Sequence, residues 1–317
     1  MQKIHIVICT DTNYIMPCGI MFYSLCKNNS KNEIVFHAII DDSVTEANKE
    51  SLSSIAKKFN KQIIFYNLDG HLFDNFPNLG NGMYISKATY YRLYLTEILP
   101  DSLDKVLYLD CDMIIRKDLL ELWNTNIDNV GVAASMDGMD GLITLFNRLD
   151  YPRSKGYFNA GVLLVNLNYW RKHNIHQKCL DYIKNHYDRV VSHDQDVLNV
   201  VLQDAKKNVS ITYNFGESFL YKPENMQFDY STHKDEIKAV IHDPVIVHYT
   251  VSKPWKVGCL NPFRTLYFKY RDMSEWKGAP LETQPFIRRV IKSILLKLKV
   301  IKRPSINPFR EINFELY

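Results

Sequence analysis

Apolar positions in this chain come in short blocks whose spacing alternates between strand-like and helix-like periods. Positions 4–8 read as a buried strand, and the spacing over 16–27 predicts a helix with Pro17 near its start, where proline is tolerated. A second strand is expected over 33–40, ending in Asp41-Asp42. Thr45 is the expected N-cap of a helix running to Phe59, and 62–66 read as a third strand. Such alternation implies a parallel α/β sheet. A helix is expected over about 86–99, stopped by Pro100. Further strands follow at 105–109, 130–136, 161–167 and 245–248, with helices at about 168–186 and 194–204. No internal repeat or low-complexity tract interrupts the pattern.

The densest chemistry lies at the end of one strand, in Lys105-Val106-Leu107-Tyr108-Leu109-Asp110-Cys111-Asp112-Met113-Ile114-Ile115. In extended backbone, residues two apart point the same way, so Asp110 and Asp112 are expected to aim two carboxylates at one point. Hard oxygen ligands suit Mg²⁺ or Mn²⁺, and such ions bridge to phosphate oxygens. A metal–diphosphate site at the carboxyl end of a strand follows, where open α/β sheets bind ligands. An Asp-x-Asp alone is weak, because surface loops produce it often. The apolar runs on both sides of this one add weight.

Composition narrows the class. The 317 residues are 46% hydrophobic and 23% charged, as in an ordinary globular protein. The aromatics read mainly as core material. The six cysteines form no C-x-x-C pair, and Cys9 and Cys111 sit in apolar runs like small buried hydrophobes. Reduced thiols and a cytoplasmic location are expected. The apolar run after Lys3 stops at Cys9, too short for a signal peptide or a membrane span. The net charge of +4 is uneven: residues 286–303 carry seven positive charges and no acid, so the remainder is acidic. Basicity confined to one segment argues against a nucleic-acid-binding surface. On a helical wheel that segment sets Ile287, Val290, Ile291, Ile294, Leu298 and Ile301 on one face, with Arg288, Arg289, Lys292, Lys299 and Arg303 mostly opposite. An amphipathic helix over about 285–303 fits an anionic membrane surface, each basic residue contributing about 1 kcal/mol there. The alternative is a helix packed on its own domain or on a second subunit.

Other strand ends carry polar groups that could face the same crevice: Thr10-Asp11-Thr12-Asn13-Tyr14, Ser135-Met136-Asp137, and His248. Two carboxylates and a neutral imidazole make half a shell for Mn²⁺. Taken alone, His248 reads as a satisfied core histidine, but Lys253 five residues later is placed to neutralise the same diphosphate. Asn159-Ala160-Gly161 combines a side-chain donor and acceptor with a residue that lets something approach closely; a β-bulge glycine is the plainer reading. Ser192 or Asp194 is the expected cap of the helix opened by Ser192-His193-Asp194-Gln195-Asp196, with Asp194 or Gln195 also facing a sugar. Arg92 sits on an otherwise apolar helix, as a buried ion-pair partner or a ligand-facing cation.

Several of these segments, in this order along the chain, resemble family 8 retaining glycosyltransferases, which include bacterial lipooligosaccharide α-galactosyltransferases and glycogenin. The matching pieces are Thr10-Asp11-x-Asn13-Tyr14, Thr89-Tyr90-Tyr91-Arg92-Leu93, Val106 to Asp112, Tyr157 to Leu167, Asp194-Gln195-Asp196-x-Leu198-Asn199, and His248-Tyr249 leading to Lys253-Pro254-Trp255. The likeness is nearer to the bacterial lipopolysaccharide enzymes than to glycogenin. It implies a GT-A fold, a single α/β/α sandwich with a mostly parallel central sheet, over residues 1–275, with 276–317 as a tail. It implies Mn²⁺, or Mg²⁺, on Asp110, Asp112 and His248. The donor, a UDP-sugar, would lie along Thr10, Asp11, Asn13, Tyr14, Cys111 and Lys253 on the nucleotide side. Arg92, Asp137, Asn159, Ala160, Gly161, Asp194 and Gln195 would hold the sugar, with Asp194 and Gln195 at the reacting carbon. The family often has a glycine between the histidine and the lysine, giving phosphate a backbone contact. Here the segment is Thr250-Val251-Ser252, where an amide of Val251 or Ser252 would have to serve.

The implied reaction moves galactose or glucose to a glycan or lipid-linked glycan acceptor with retention, in lipopolysaccharide or surface polysaccharide synthesis, at the inner face of the cytoplasmic membrane. Retaining hydrolases use a carboxylate nucleophile. Gln195 is a poor one and Asp194 a candidate; a front-face route, with the leaving phosphate taking the acceptor proton, stands beside it. Two other classes compete. A nucleotidyltransferase would want a Gly-rich loop after the first strand, yet no glycine follows Ile8 until Gly19. A non-catalytic sugar-binding module needs no diphosphate ligands.

Overall fold

The computed structural model describes residues 3–77, 86–283 and 309–310. Ten strands form two sheets: β1 (Lys3–Thr10), β2 (Glu33–Ile40), β3 (Gln62–Asn67), β4 (Lys105–Leu109), β5 (Met113–Ile115), β6 (Val132–Ala134), β7 (Val162–Asn166), β8 (Lys206–Asn208), β9 (Phe215–Gly216) and β10 (Ile246–His248). The large sheet runs β3-β2-β1-β4-β7-β6-β8, and the small one β5-β10-β9. Successive residues of the central strands enter two different cores. Ile6 and Ile8 of β1, Leu107 and Leu109 of β4, and Val162 and Leu164 of β7 pack on one face. Val7, Cys9, Val106, Tyr108, Leu163 and Val165 pack on the other. A period of two with both faces buried is the signature of a sheet covered on each side by helices. Helices Ile15–Asn28 and Glu46–Lys58 cover the first face; Ile175–Asn185 and His193–Val201 cover the second. The expected α/β/α sandwich is therefore the observed fold.

One strand reverses the pattern and shapes the site. β7 is antiparallel to both β4 and β6, whereas β1 is parallel to β2 and β4. The amino end of β7 thus meets the carboxyl ends of β1, β4 and β6 at one edge. The turn Asn159-Ala160-Gly161 reaches that edge only because β7 runs backwards.

Local expectations hold where capping chemistry is strong. Thr45 caps its helix, with its hydroxyl accepting from the Asn48 amide. Two expectations need correction. Residues 87–94 form a 3₁₀ helix, followed by a single α-turn, Leu95–Ile98, not one continuous helix. Three residues per turn eclipse Thr89 and Arg92, and both meet Asp194. The helix expected over 168–186 is two, Leu167–Lys172 and Ile175–Asn185, divided where Asn174 takes a left-handed φ of 52°.

Beyond the expected domain limit at residue 275, the Trp276 ring fills the space beside Gly19, where an added Cβ would lie 1.9 Å from a ring carbon. Isolated backbone β-bridges join Lys256 to Glu282 and Tyr221 to Phe309. The basic segment 286–303 lies outside the described residues.

A buried histidine, His37, predicts acid sensitivity. His37 Nε2 lies 3.0 Å from His5 Nδ1, and its Nδ1 lies 3.0 Å from the Tyr66 hydroxyl. Burial, then repulsion from His5, lowers His37 to about 4. Between that value and the unfolded value near 6.5 the unfolded chain binds the extra proton, so stability is present above pH 6.5 and falls as pH drops towards 4. The full effect is roughly 3 kcal/mol. His37→Gln is expected to flatten the fall in melting temperature over this range; an unchanged slope would assign acid lability elsewhere.

Candidate active site

Asp110, Asp112 and His248 converge at the junction of the two sheets, with one ligand atom from each lying within 4.8 Å of the others. The convergence does not come from a pleat. Residues 111–112 form a bend as the chain leaves β4 and enters β5. Antiparallel pairing of β10 with β5 then sets His248 opposite Met113. His248 Nε2 lies 3.2 Å from Asp112 Oδ1 and 3.6 Å from Asp110 Oδ2. Gly161 lets His248 and Asp110 pack against its backbone: a Cβ there would sit 2.4 Å from His248 Cε1 and 2.8 Å from Asp110 Oδ2. The close approach decides between the two readings of this glycine. Two carboxylates and an imidazole whose ligand atoms lie this close together match a divalent metal.

Each carboxylate has one oxygen engaged by protein. Asp110 Oδ1 accepts from the Tyr108 hydroxyl at 2.8 Å and pairs with Arg92 Nη2 at 2.9 Å, which leaves Oδ2 facing His248. Asp112 Oδ2 takes the Lys253 ammonium, which also donates to the Tyr249 carbonyl at 2.7 Å. Burial pushes the Asp112 carboxyl up, but Lys253 and His248 together hold it well below the usual carboxylate range.

Arg92 is a buried ion-pair hub. It is 5% exposed, with Nε 3.0 Å from Asp194 Oδ2 and Nη1 donating to the Ala160 carbonyl at 2.5 Å. Its guanidinium lies 4.3 Å from the Tyr108 ring centroid. Burial raises the Asp194 carboxyl against the opposing pull of Arg92 and the Thr89 hydroxyl. The Thr89 hydroxyl donates to Asp194 Oδ1, so both carboxylate oxygens are held by protein.

Thr89, Arg92, Asp110 and Asp194 line a cavity of about 440 Å³, together with Asp137, Asn159 and Gln195. Asp137 Oδ2 accepts from Asn159 Nδ2 at 2.7 Å and lies 3.3 Å from Gln195 Nε2. Gln195 Oε1 accepts from the Ala160 amide at 3.0 Å. The expected cap by Ser192 or Asp194 is corrected: Ser192 holds the N-cap position without a side-chain bond, and Asp196 Oδ2 instead accepts from the Val191 and Ser192 amides. Asp194 is freed for Thr89 and Arg92. His193 opens the helix with a φ of 52°, a strained value for a residue with a side chain.

On the other flank, Asp11 caps the short 3₁₀ turn Thr12–Tyr14 and accepts from the Asn13 amide at 2.9 Å. Tyr14 meets Trp255 edge-on at 5.9 Å. The Thr10 hydroxyl is buried and bonds to the Asp11 carbonyl. The Cys111 thiol points into the core and contacts the Cys9 carbonyl, so its side chain faces away from the cavity. The Ser252 amide is taken: Glu217 Oε2 accepts it at 2.9 Å, and Glu217 Oε1 accepts the Ser252 hydroxyl.

Sequence reasoning missed Thr89, Tyr108, Asn214 and Glu217. An acid inside Phe215-Gly216-Glu217-Ser218-Phe219-Leu220 was a readable sign of a buried carboxylate. Glu217 is 2% exposed and also accepts from Tyr221 and Asn261, which ties the 250–253 segment to β9. Asn214 carried no such sign.

A metal-ready triad at strand ends beside a polar cavity, on a three-layer α/β/α frame, is the architecture of a GT-A sugar transferase. The model of glycosyl transferase family 8 matches residues 5–258, and the chain belongs to that family. It is 30% identical over 279 residues to general stress protein A of Bacillus subtilis, covering 87% of this chain and 95% of the relative. It is 27% identical to a lipopolysaccharide 1,3-galactosyltransferase of Salmonella typhimurium, over 88% of this chain and 81% of that one. The solved structure of galactosyltransferase LgtC in complex with donor and acceptor sugar analogs matches with a TM-score of 0.77 at 26% identity, over 90% of this chain and 99% of that chain.

Proposed function

We propose that the protein is a retaining, divalent-metal-dependent hexosyltransferase. It moves galactose or glucose from a UDP-sugar to a glycan acceptor in lipopolysaccharide or surface polysaccharide synthesis. The observation that carries this reading is the convergence of Asp110, Asp112 and His248 at the edge of a cavity lined by Asp137, Asn159, Asp194 and Gln195. Thr10, Asp11, Asn13, Tyr14 and the Cys111 backbone lie on the nucleoside side. Lys253 neutralises the diphosphate. With the Ser252 amide held by Glu217, Val251 is the amide left for phosphate in that segment.

Asp110, Asp112 and His248 would hold Mn²⁺ or Mg²⁺, which when bound supplies Lewis-acid stabilisation of the departing UDP. On the sugar side, Asp137, Asn159, Asp194 and Gln195 line the cavity with donors and acceptors suited to sugar hydroxyls. Asp194 is tied to Thr89 and Arg92, and Gln195 is uncharged, which favours the front-face route. The bond from the anomeric carbon to phosphate breaks while the acceptor oxygen bonds on the same face. The acceptor proton passes to the leaving phosphate oxygen. The basic segment 286–303 would hold the enzyme at the anionic inner face of the cytoplasmic membrane, near lipid-linked acceptors.

Incubation with UDP-glucose or UDP-galactose, with and without Mn²⁺, tests this. Slow Mn²⁺-dependent release of UDP is expected, faster with a suitable acceptor. Pyrophosphate exchange would indicate a nucleotidyltransferase, and binding without turnover a sugar-binding module; either result overturns the reading.

A further inference from the structure

The polarity of the hydrogen bonds leading to His248 follows from their end points. Backbone N–H groups only donate, and ionised carboxylates only accept. The Gly161 amide meets Asn159 Oδ1 at 2.9 Å, and Asp137 Oδ2 meets Asn159 Nδ2 at 2.7 Å. The Asn159 amide is thereby oriented from both sides. Its oxygen also lies 2.8 Å from the Asn214 side chain, which must present its NH₂ group there. The other end of Asn214 is then its oxygen, 2.8 Å from His248 Nδ1. An amide oxygen only accepts, so Nδ1 carries the hydrogen. Nε2, which faces Asp110 and lies 3.2 Å from Asp112 Oδ1, is then the nitrogen whose hydrogen a cation would replace.

We propose that Asn214 is a positioning residue of the metal centre, fixing the ring orientation and tautomer in which His248 offers Nε2 to a divalent cation. The inference rests on the metal reading above and adds a residue that is not itself a metal ligand. Burial makes Asn214 hard to replace: it is 2% exposed and His248 4%, so bulk water does not supply another acceptor for the Nδ1 hydrogen. The alternative tautomer would turn an N–H towards the cation and leave the Asn214 oxygen without a donor. Histidine ligands to metals are generally oriented by such a partner on the second nitrogen. Here the partner belongs to a chain of amides that begins at Asp137, on the sugar side of the cavity.

The test is Mn²⁺ binding by the full chain, read by electron paramagnetic resonance, for the wild type, Asn214→Leu and Asn214→Asp, with thermal melts on the same samples. Asn214→Leu is expected to weaken Mn²⁺ binding about tenfold to a hundredfold. Asn214→Asp keeps an oxygen for the Nδ1 hydrogen and is expected to restore most of it. Wild-type affinity in the Leu variant, or equal losses in both variants, overturns the inference and leaves the metal reading standing. A wild-type protein that binds no Mn²⁺ overturns both. Should the Leu variant not fold, ¹⁵N shifts of the His248 ring in the Mg²⁺-loaded wild type decide. A hydrogen on Nδ1 supports the inference, and a hydrogen on Nε2 sinks it.

Discussion

Asp112→Asn is expected to abolish Mn²⁺-dependent UDP release while leaving the protein folded. The substitution keeps shape and removes one charge. That charge pairs with Lys253 and lies 3.2 Å from His248 Nε2, so its loss removes one of the three proposed metal ligands and leaves the lysine without its acid. Lewis-acid stabilisation of a leaving group is worth several kcal/mol, which corresponds to about a thousandfold or more in kcat/KM. Folding is expected to survive, because Lys253 retains the Tyr249 and Thr250 carbonyls and Asp112 keeps its backbone bond to the Tyr249 amide. The checks are UDP release across a Mn²⁺ titration and a melt of the same sample. Wild-type turnover with undiminished metal dependence would remove Asp112 from the site.

Arg92→Ala is expected to have the largest effect on stability. The guanidinium lies between Asp110 and Asp194, bonds to two carbonyls and stacks on Tyr108, with its side chain 6% exposed. Removing one partner of a buried ion pair costs about 3–5 kcal/mol, since the remaining charges stay desolvated and unpaired. Arg92→Lys is expected to rescue little, as one ammonium cannot span both acids and the Ala160 carbonyl. The loss has a definite pH sign. Burial already raises Asp194, and Arg92 is the main group opposing that rise. Without Arg92 the folded form holds the Asp194 proton more tightly than the unfolded form does. The deficit is therefore greatest near neutral pH and shrinks as pH falls through the raised value. Urea midpoints at pH 7 and pH 5 measure it; a deficit that grows on acidification would contradict this assignment.

How much of this was legible differed from residue to residue. Asp110 and Asp112 were visible because they lie two residues apart, flanked by apolar runs, and placed at a strand end. Their convergence was expected from a pleat, but a bend between two sheets produces it. Arg92 showed up as a charge on an apolar segment, yet nothing local indicated which acids it meets. Residues 110 and 194 come together only when β4 and the helix His193–Val201 pack on the same core. The 3₁₀ turn at Thr89–Arg92 escaped because helical periods of 3.0 and 3.6 are hard to separate over eight residues. The assignment of helix caps failed for a similar reason: Asp196 bonds backward to Val191 and Ser192, against the usual direction.

Taken by itself, the amino-acid sequence determined the alternation of strands and helices, the three-layer class, and the residue types of the proposed metal–diphosphate site. These follow from periodicity and side-chain chemistry, which are local and additive. Tertiary structure alone decided that β7 runs against its neighbours, that His248 reaches β5 through antiparallel pairing, and that Asn214 and Glu217 stand behind the site. Those contacts join residues far apart in the chain, and a buried polar atom takes whichever partner the packed backbone brings within hydrogen-bond reach.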